Sequence, residues 1–514
     1  MKILRRTTAI NIANPAIFDD IGVQGELGFG VGVASVVPAD ITPMPGYTDP
    51  SSDNYGNYMT QSGSQRVYIP AYWYRMAHAS NITYAQYLLN SVDTKKLSTF
   101  ADETAANAAG YAMHRMFWDG GVRQNGVFVD KYKVSNLNGV AVSVKGGKPI
   151  TVSAGHNPIG GLTATGGANN YYSAITAAKV SSIGAFCTTR FITAGLALLS
   201  LAHGQASAST TYCAWYGTSN NFPKGCNNNT LNDANDATVT YISDGFSSCG
   251  KTGSGLPFAK TTHNGQACGV ADLNGLIYEI NPGLTCITTV ITSGNAITGI
   301  SLANPCVITM TNDPAAAVVG MQFVASGITG TTQLHGVHTI TAVDHVAKTI
   351  TLECDSTTYT AWVSGGTLTT GQHYVWKTSA SAKTMTPGNT LATDIWGVNG
   401  VAAHSTPINV PFNNGWQGQF FGNAANQVLS ADLTGDAWQL AGLGFPKDAA
   451  GVSPAGSSLF GNDYFYQQFT NEMVPVSSCN WGTGTGAGVW GVVLSYGRAS
   501  ASSLSGFRCA CYPV

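Results

Sequence analysis

The sequence predicts an α+β chain in which strands and loops outweigh helices and one stretch forms a small all-β module. Three observations carry this. Charged residues make up only 10% of 514 positions, against a usual quarter, while glycines number 61 and aromatics reach 10%. That composition suits a loop-rich β protein, or a subunit that hides much of its surface in an assembly. The segment 188–203 is apolar nearly all round, as a buried helix is. From 286 to 370 the texture changes to Thr and Val with strand alternation. At this length a single core has usually stopped growing, so two or three domains are expected.

Residues 1–65 are read as an N-terminal arm or attachment region. Within them, 25–33 (GELGFGVGV) largely alternates Gly with larger residues, as an extended segment in close contact with another backbone would, either in an arm or in a strand of the main domain. The stretch 38–64 is a long loop, rich in Pro, Gly, Asp, Asn and Ser. The larger domain starts at 66. Its first strand, 66–76 (RVYIPAYWYRM), is rich in rings and β-branched residues, with Pro70 at an edge or bulge. Alanine content makes 101–114 helical, and 127–136 reads as a second strand. Thr188 or Thr189 can cap the 188–203 helix. The Asn-rich run 220–235 suits turns. The first part of this domain ends at 285. The β module spans 286–370, with alternation in 337–343 and 348–352 and turns at Asn304-Pro305 and Gly365-Gly366. The stretch 371–514 follows, through Trp376, Trp396, Trp416 and Trp438; with 66–285 it makes the two parts of one domain only on the family resemblance given below.

Composition excludes several function classes. The net charge is −2 and no Lys/Arg run is visible, which removes the electrostatic footprint of a nucleic-acid binder. Met1 to Arg6 is basic, but no apolar core follows, so no signal peptide is expected. The most apolar run, 191–202, is too short to span a bilayer, so a soluble chain made in a cytoplasm and without membrane insertion is expected. The eleven cysteines form no CxxC pair and no Cys/His zinc spacing, so they read as buried thiols, and Cys509 and Cys511 sit too close in sequence to bond each other. Of ten dispersed histidines only His335 and His338 are neighbours, and exposed strand positions are the expectation for both. No nucleophile elbow, phosphate loop or dinucleotide fingerprint stands in a supporting context. Asp272, Asn274 and Glu279 could fix loops or contribute to a structural ion, and loop fixing is favoured.

The block 269–279 (GVADLNGLIYE) and the ending Gly506-Phe507-Arg508-Cys509-Ala510 resemble the formylglycine-generating-enzyme family, a large branch of the C-type-lectin-like fold. Within the first block Leu276 and Tyr278 replace the family's Asn and Trp, while Gly275 and Glu279 are kept. The 127–136 strand, His156-Asn157-Pro158-Ile159 and Cys213-Ala214-Trp215 resemble further blocks in the same order. The 286–370 module resembles the FCCH-like β modules of phage tail proteins, here inserted into the host domain. Many phage tail proteins use the family's ending, including the retroelement-diversified major tropism determinant class. The resemblance therefore implies a phage virion protein, at a tail fibre or tail tip, that binds a host cell-surface receptor, glycan or protein. Virion neighbours and a homotrimer are implied as partners. The family's enzymes use copper on two cysteines just before the closing strand, whereas Cys479 stands alone, so no catalytic residue, cofactor or metal is expected. In diversified members the matching segment holds the contact residues, which here gives Asn480, Trp481, Thr483, Thr485, Trp490, Tyr496, Arg498 and Ser502. The alternative is a structural decoration or adaptor subunit of a phage head or baseplate.

Overall fold

A computed structural model describes residues 18–87, 90–165, 170–217, 225–385, 401–410, 419–421, 435–445 and 463–513. The chain is mixed α+β and mostly β. Met1 to Arg6, Trp396, Trp416 and the start of the Asn-rich run lie outside the described residues.

One six-stranded antiparallel sheet runs, in spatial order, Ile41–Pro43, Asn57–Thr60, Gln65–Pro70, Gly126–Asp130, Cys509–Cys511 and Phe186–Cys187. The last strand of the chain is thus threaded between elements some hundreds of residues earlier. A second six-stranded sheet runs Gln419–Phe421, Asp463–Gln467, Val492–Gly497, Met473–Ser477, Tyr278–Ile280 and Ser505–Gly506. Two of its pairings are parallel, Asp463–Gln467 with Val492–Gly497 and Tyr278–Ile280 with Ser505–Gly506.

The apolar segment forms the helix Arg190–Ala206, with the Thr189 hydroxyl accepting from the Ile192 amide. Every residue from Arg190 to Gln205 is buried, as apolarity on all faces requires. The ring-rich stretch divides into two strands, Gln65–Pro70 and Tyr72–Met76, that join different sheets. Pro70 lacks the amide that a continuous ladder needs, and Ala71 separates the two strands. Only Glu103–Ala108 of the alanine-rich stretch is helical; Asp102 caps it, and Gly110 at φ +80° ends it before Ala112–Met113 pairs with Trp73 and Tyr74.

The described part of the expected arm, 18–65, is instead built into the domain. Ile21, Phe29 and Val31 join the main apolar cluster, and two of its strands extend the first sheet. Most of the 25–33 stretch, through Gly30, is a chain of turns rather than an extended segment, and Val33 bridges in parallel to Phe18. Its close backbone approach is real at Gly32, where a Cβ would lie 2.4 Å from Pro70 Cγ and 2.5 Å from the Asp20 carbonyl.

The β module has its own apolar cluster, centred on Ile297, Ile308, Phe323, Ile340, Ile350 and Leu368. Two strands, Leu284–Val290 and Ser364–Trp376, pair from Leu284↔Val375 to Val290↔Thr369 and form its neck. Leu284 and Val375 belong to the main cluster, while Leu368 belongs to that of the module.

Candidate functional site

The closing strand is fixed by buried charge. The Arg508 guanidinium donates to Glu279 Oε1 at 2.8 and 3.1 Å and to the carbonyls of Asp130, Ala271 and Asp272 at 2.7, 2.8 and 3.2 Å. Lys133 Nζ lies 3.6 Å from the same carboxylate and donates to the carbonyls of Gly275 and Ile277. Burial alone would raise the Glu279 carboxyl, but Arg508 and Lys133 outweigh it and hold the group below its ordinary value. Asp272 accepts from the Gly253 amide at 2.7 Å, yet burial dominates and pushes its carboxyl up to about 6. Asp272 therefore fixes a loop, while Glu279, on the strand Tyr278–Ile280, fixes Arg508, and Asn274, between them in sequence, is buried as well.

This anchoring leaves the 478–505 segment to form one wall of an open cleft. Ser478 and Cys479 take positive φ, +74° and +56°, and turn the chain out of the sheet after Met473–Ser477. The loop that follows is held by its own polar groups. Asn480 Oδ1 accepts from the Gly482 amide at 2.7 Å, and the Asn480 amide donates to Thr483 Oγ1 at 3.1 Å. From behind, the Asn227 carbonyl accepts from the Gly484 amide at 2.7 Å, and Asn227 Nδ2 donates to the Gly484 carbonyl at 2.8 Å. The Asn-rich run thus buttresses this loop.

The cleft measures about 530 Å³ and is lined by Tyr278, Tyr464, Trp481, Asn480, Thr483, Thr485 and Leu504, with Gly482 and Gly486. No lining side chain carries a formal charge, since burial pushes the Tyr278 and Tyr464 hydroxyls far up and keeps them protonated. Three rings, one amide and four hydroxyls make it a surface for stacking and neutral hydrogen bonding.

Of the residues expected to make contact, Thr485 is exposed, and Trp481, Thr483, Tyr496 and Ser502 are half-buried. Asn480 is 7% exposed but forms part of the cleft wall. Tyr496 and Ser502 lie outside the lining; the Tyr496 ring packs 5.8 Å from that of Tyr278, and the Ser502 hydroxyl accepts from the Leu504 amide. Two residues are corrected. Trp490 is 1% exposed and belongs to the main apolar cluster, its amide donating to Asp463 Oδ2 at 2.9 Å. Arg498 is 4% exposed, with Nη1 donating to the Tyr172 hydroxyl at 2.5 Å and its guanidinium over the Tyr171 ring. Tyr278, Tyr464 and Leu504 were not among the expected contacts. The alternation of rings in Asp463–Gln467, where Tyr464 and Tyr466 stack on one face at 5.7 Å, is the signal that marks Tyr464.

The eleven cysteines are free thiols, ten of them buried and Cys354 half-buried. His335 is exposed, but His338 is 8% exposed, because it shares the inward face of Gly336–Asp344 with Ile340. No described helix is long and apolar enough to cross a membrane. No protein-family model matches the chain, and a search of curated proteins returned no match.

Proposed function

We propose that the chain is the receptor-binding subunit of a phage virion, at a fibre or tail tip. In this reading a C-type-lectin-like scaffold of the formylglycine-generating-enzyme branch presents the cleft to a host surface. The observation that carries it is the uncharged, aromatic and hydroxyl-lined cleft formed largely by Asn480, Trp481, Thr483 and Thr485. Two further contacts support the scaffold. The 269–279 and 506–510 blocks meet through Arg508 and Glu279, and Tyr278–Ile280 pairs in parallel with Ser505–Gly506. The mechanism is non-covalent: the ligand is a neutral saccharide or neutral protein segment, and repetition in a homotrimer turns modest contacts into avidity.

A structural subunit of a head or baseplate is the second reading. In that reading the exposed apolar residues Leu302, Val318, Val319, Val346 and Val363, all on the β module, are available to neighbouring subunits. Adsorption of the purified full chain to a panel of bacterial strains separates the two. Receptor binding is expected to give adsorption that Trp481→Ala lowers at least about tenfold, the scale of one stacked ring. Adsorption to no strain would favour the structural subunit.

A further inference from the structure

His156, Asp244 and Cys249 come from two separate loops and converge with their ligand atoms within 4.8 Å of one another, all three buried. His156 Nδ1 lies 3.0 Å from the Ser503 carbonyl, which only accepts, so this nitrogen carries the proton. Nε2 then turns its lone pair toward Asp244 Oδ2 at 2.6 Å, and two lone pairs at that distance require a cation between them. Either a second proton or a metal ion can supply it. The ring is further fixed by stacking on Phe246, with centroids 4.1 Å apart, and Asp244 Oδ1 accepts from the Phe246 amide at 2.8 Å. A ring N–H given to a backbone carbonyl is the arrangement that sets the tautomer of metal-bound histidines.

We propose that His156, Asp244 and Cys249 bind one Zn²⁺ ion that ties the two loops together beneath Ser503, next to the cleft residue Leu504. Neutral imidazole, carboxylate and thiolate sum to −2 and balance the ion, and this mixed N, O and S set is one that zinc accepts. Calcium is disfavoured, because it takes six to eight oxygen ligands and here meets a thiol. Tetrahedral zinc, with bonds of about 2.0–2.3 Å, places ligand N and O about 3.3 Å apart, so binding draws Asp244 back by less than about 1 Å. With three protein ligands, the fourth tetrahedral position is left to water, which keeps the charge balance. Lys133 also acts on Cys249, but its charge is paired with Glu279. Burial holds the Cys249 thiol well above its ordinary range, so zinc displaces a proton from it on binding.

The test loads the purified full chain with zinc, or with cobalt(II) as a spectroscopic substitute, and dialyses away the excess. Expected are one zinc per chain by elemental analysis and a thiolate-to-cobalt charge-transfer band. Cys249→Ser should abolish the band and weaken zinc binding by at least about 100-fold, while His156→Asn weakens it similarly. Sub-stoichiometric zinc in the wild-type chain would overturn the proposal. So would zinc bound equally by both variants without a thiolate band, which marks an adventitious ion. Should the variants fail to fold, the wild-type chain still decides: the cobalt band and a chelator-induced fall in its unfolding temperature are expected, and the absence of both leaves His156 and Asp244 a proton-bridged pair.

Discussion

Trp481 and Trp490 stand nine positions apart in a stretch of small residues, and nothing local distinguishes them. Trp490 enters the main cluster ahead of the strand Val492–Gly497, which has neighbours on both sides, whereas Trp481 lies on a loop that leaves the sheet. Trp490→Ala is expected to cost about 3–5 kcal/mol of stability by denaturant unfolding, the range for emptying a core ring site. Trp481→Ala should cost under about 1.5 kcal/mol and act on ligand binding instead. Arg498 misled for a related reason: arginine is enriched at contact surfaces, but here its guanidinium covers two tyrosines of the helix Asn170–Lys179. Residue type was legible in the sequence, and accessibility was not, because it depends on strands far away in the chain. Asp272 gives a residue-scale test of the buried anchor. Its folded pKa of about 6 lies above the ordinary carboxylate value near 3.9, so the stability it confers is full below about pH 4 and is lost as pH rises through about 6. Asp272→Asn can keep the bond from the Gly253 amide and tolerates the φ of +59°. The variant should match the wild-type chain near pH 4 and exceed it at pH 7 by on the order of 2 kcal/mol, as read by unfolding across pH.

At the scale of elements, local pattern worked where one rule dominated. The Arg190–Ala206 helix was visible because its apolar residues run all round, and of the two candidate caps, Thr188 and Thr189, the structure uses Thr189. The glycine alternation of 25–33 carried the close backbone approach but not the conformation: six positions from Gly22 to Gly56 around it, Gly22, Gly25, Gly28, Gly30, Gly46 and Gly56, take positive φ, so the chain turns where extension was expected. The Asn-rich run read as a loop, yet its partner was invisible from spacing, since Asn227 and Gly484 are 257 residues apart. Asn227→Ala removes the bond to the Gly484 carbonyl and the one its side chain accepts from the Ala234 amide at 3.0 Å. A loss of about 1–3 kcal/mol in unfolding free energy is expected, with weaker ligand binding even where Trp481 is intact.

For the whole molecule, the all-β character of the interrupting module followed from its Thr and Val texture, and its separate apolar cluster gives that texture a physical basis. The order of strands did not follow, because each of the two six-stranded sheets joins segments hundreds of residues apart and only tertiary pairing decides their neighbours. The His156, Asp244 and Cys249 group was hidden in the same way, its members 88 residues apart or more across the loop pair. Since Val290 and Thr369 are directly opposed across the neck, replacing 291–368 by a two-residue Asn-Gly turn should leave the larger domain folded. Its unfolding midpoint and ligand binding should persist, and collapse of both would mean that the module completes the main core. The most direct measurement of the cleft as the contact surface is hydroxyl-radical footprinting of the full chain, free and adsorbed to a cell it binds. Trp481 and Tyr464 should lose most of their labelling on adsorption while Trp490 stays dark in both states. Unchanged labelling of Trp481 and Tyr464, with protection confined to the exposed valines of the β module, would contradict it.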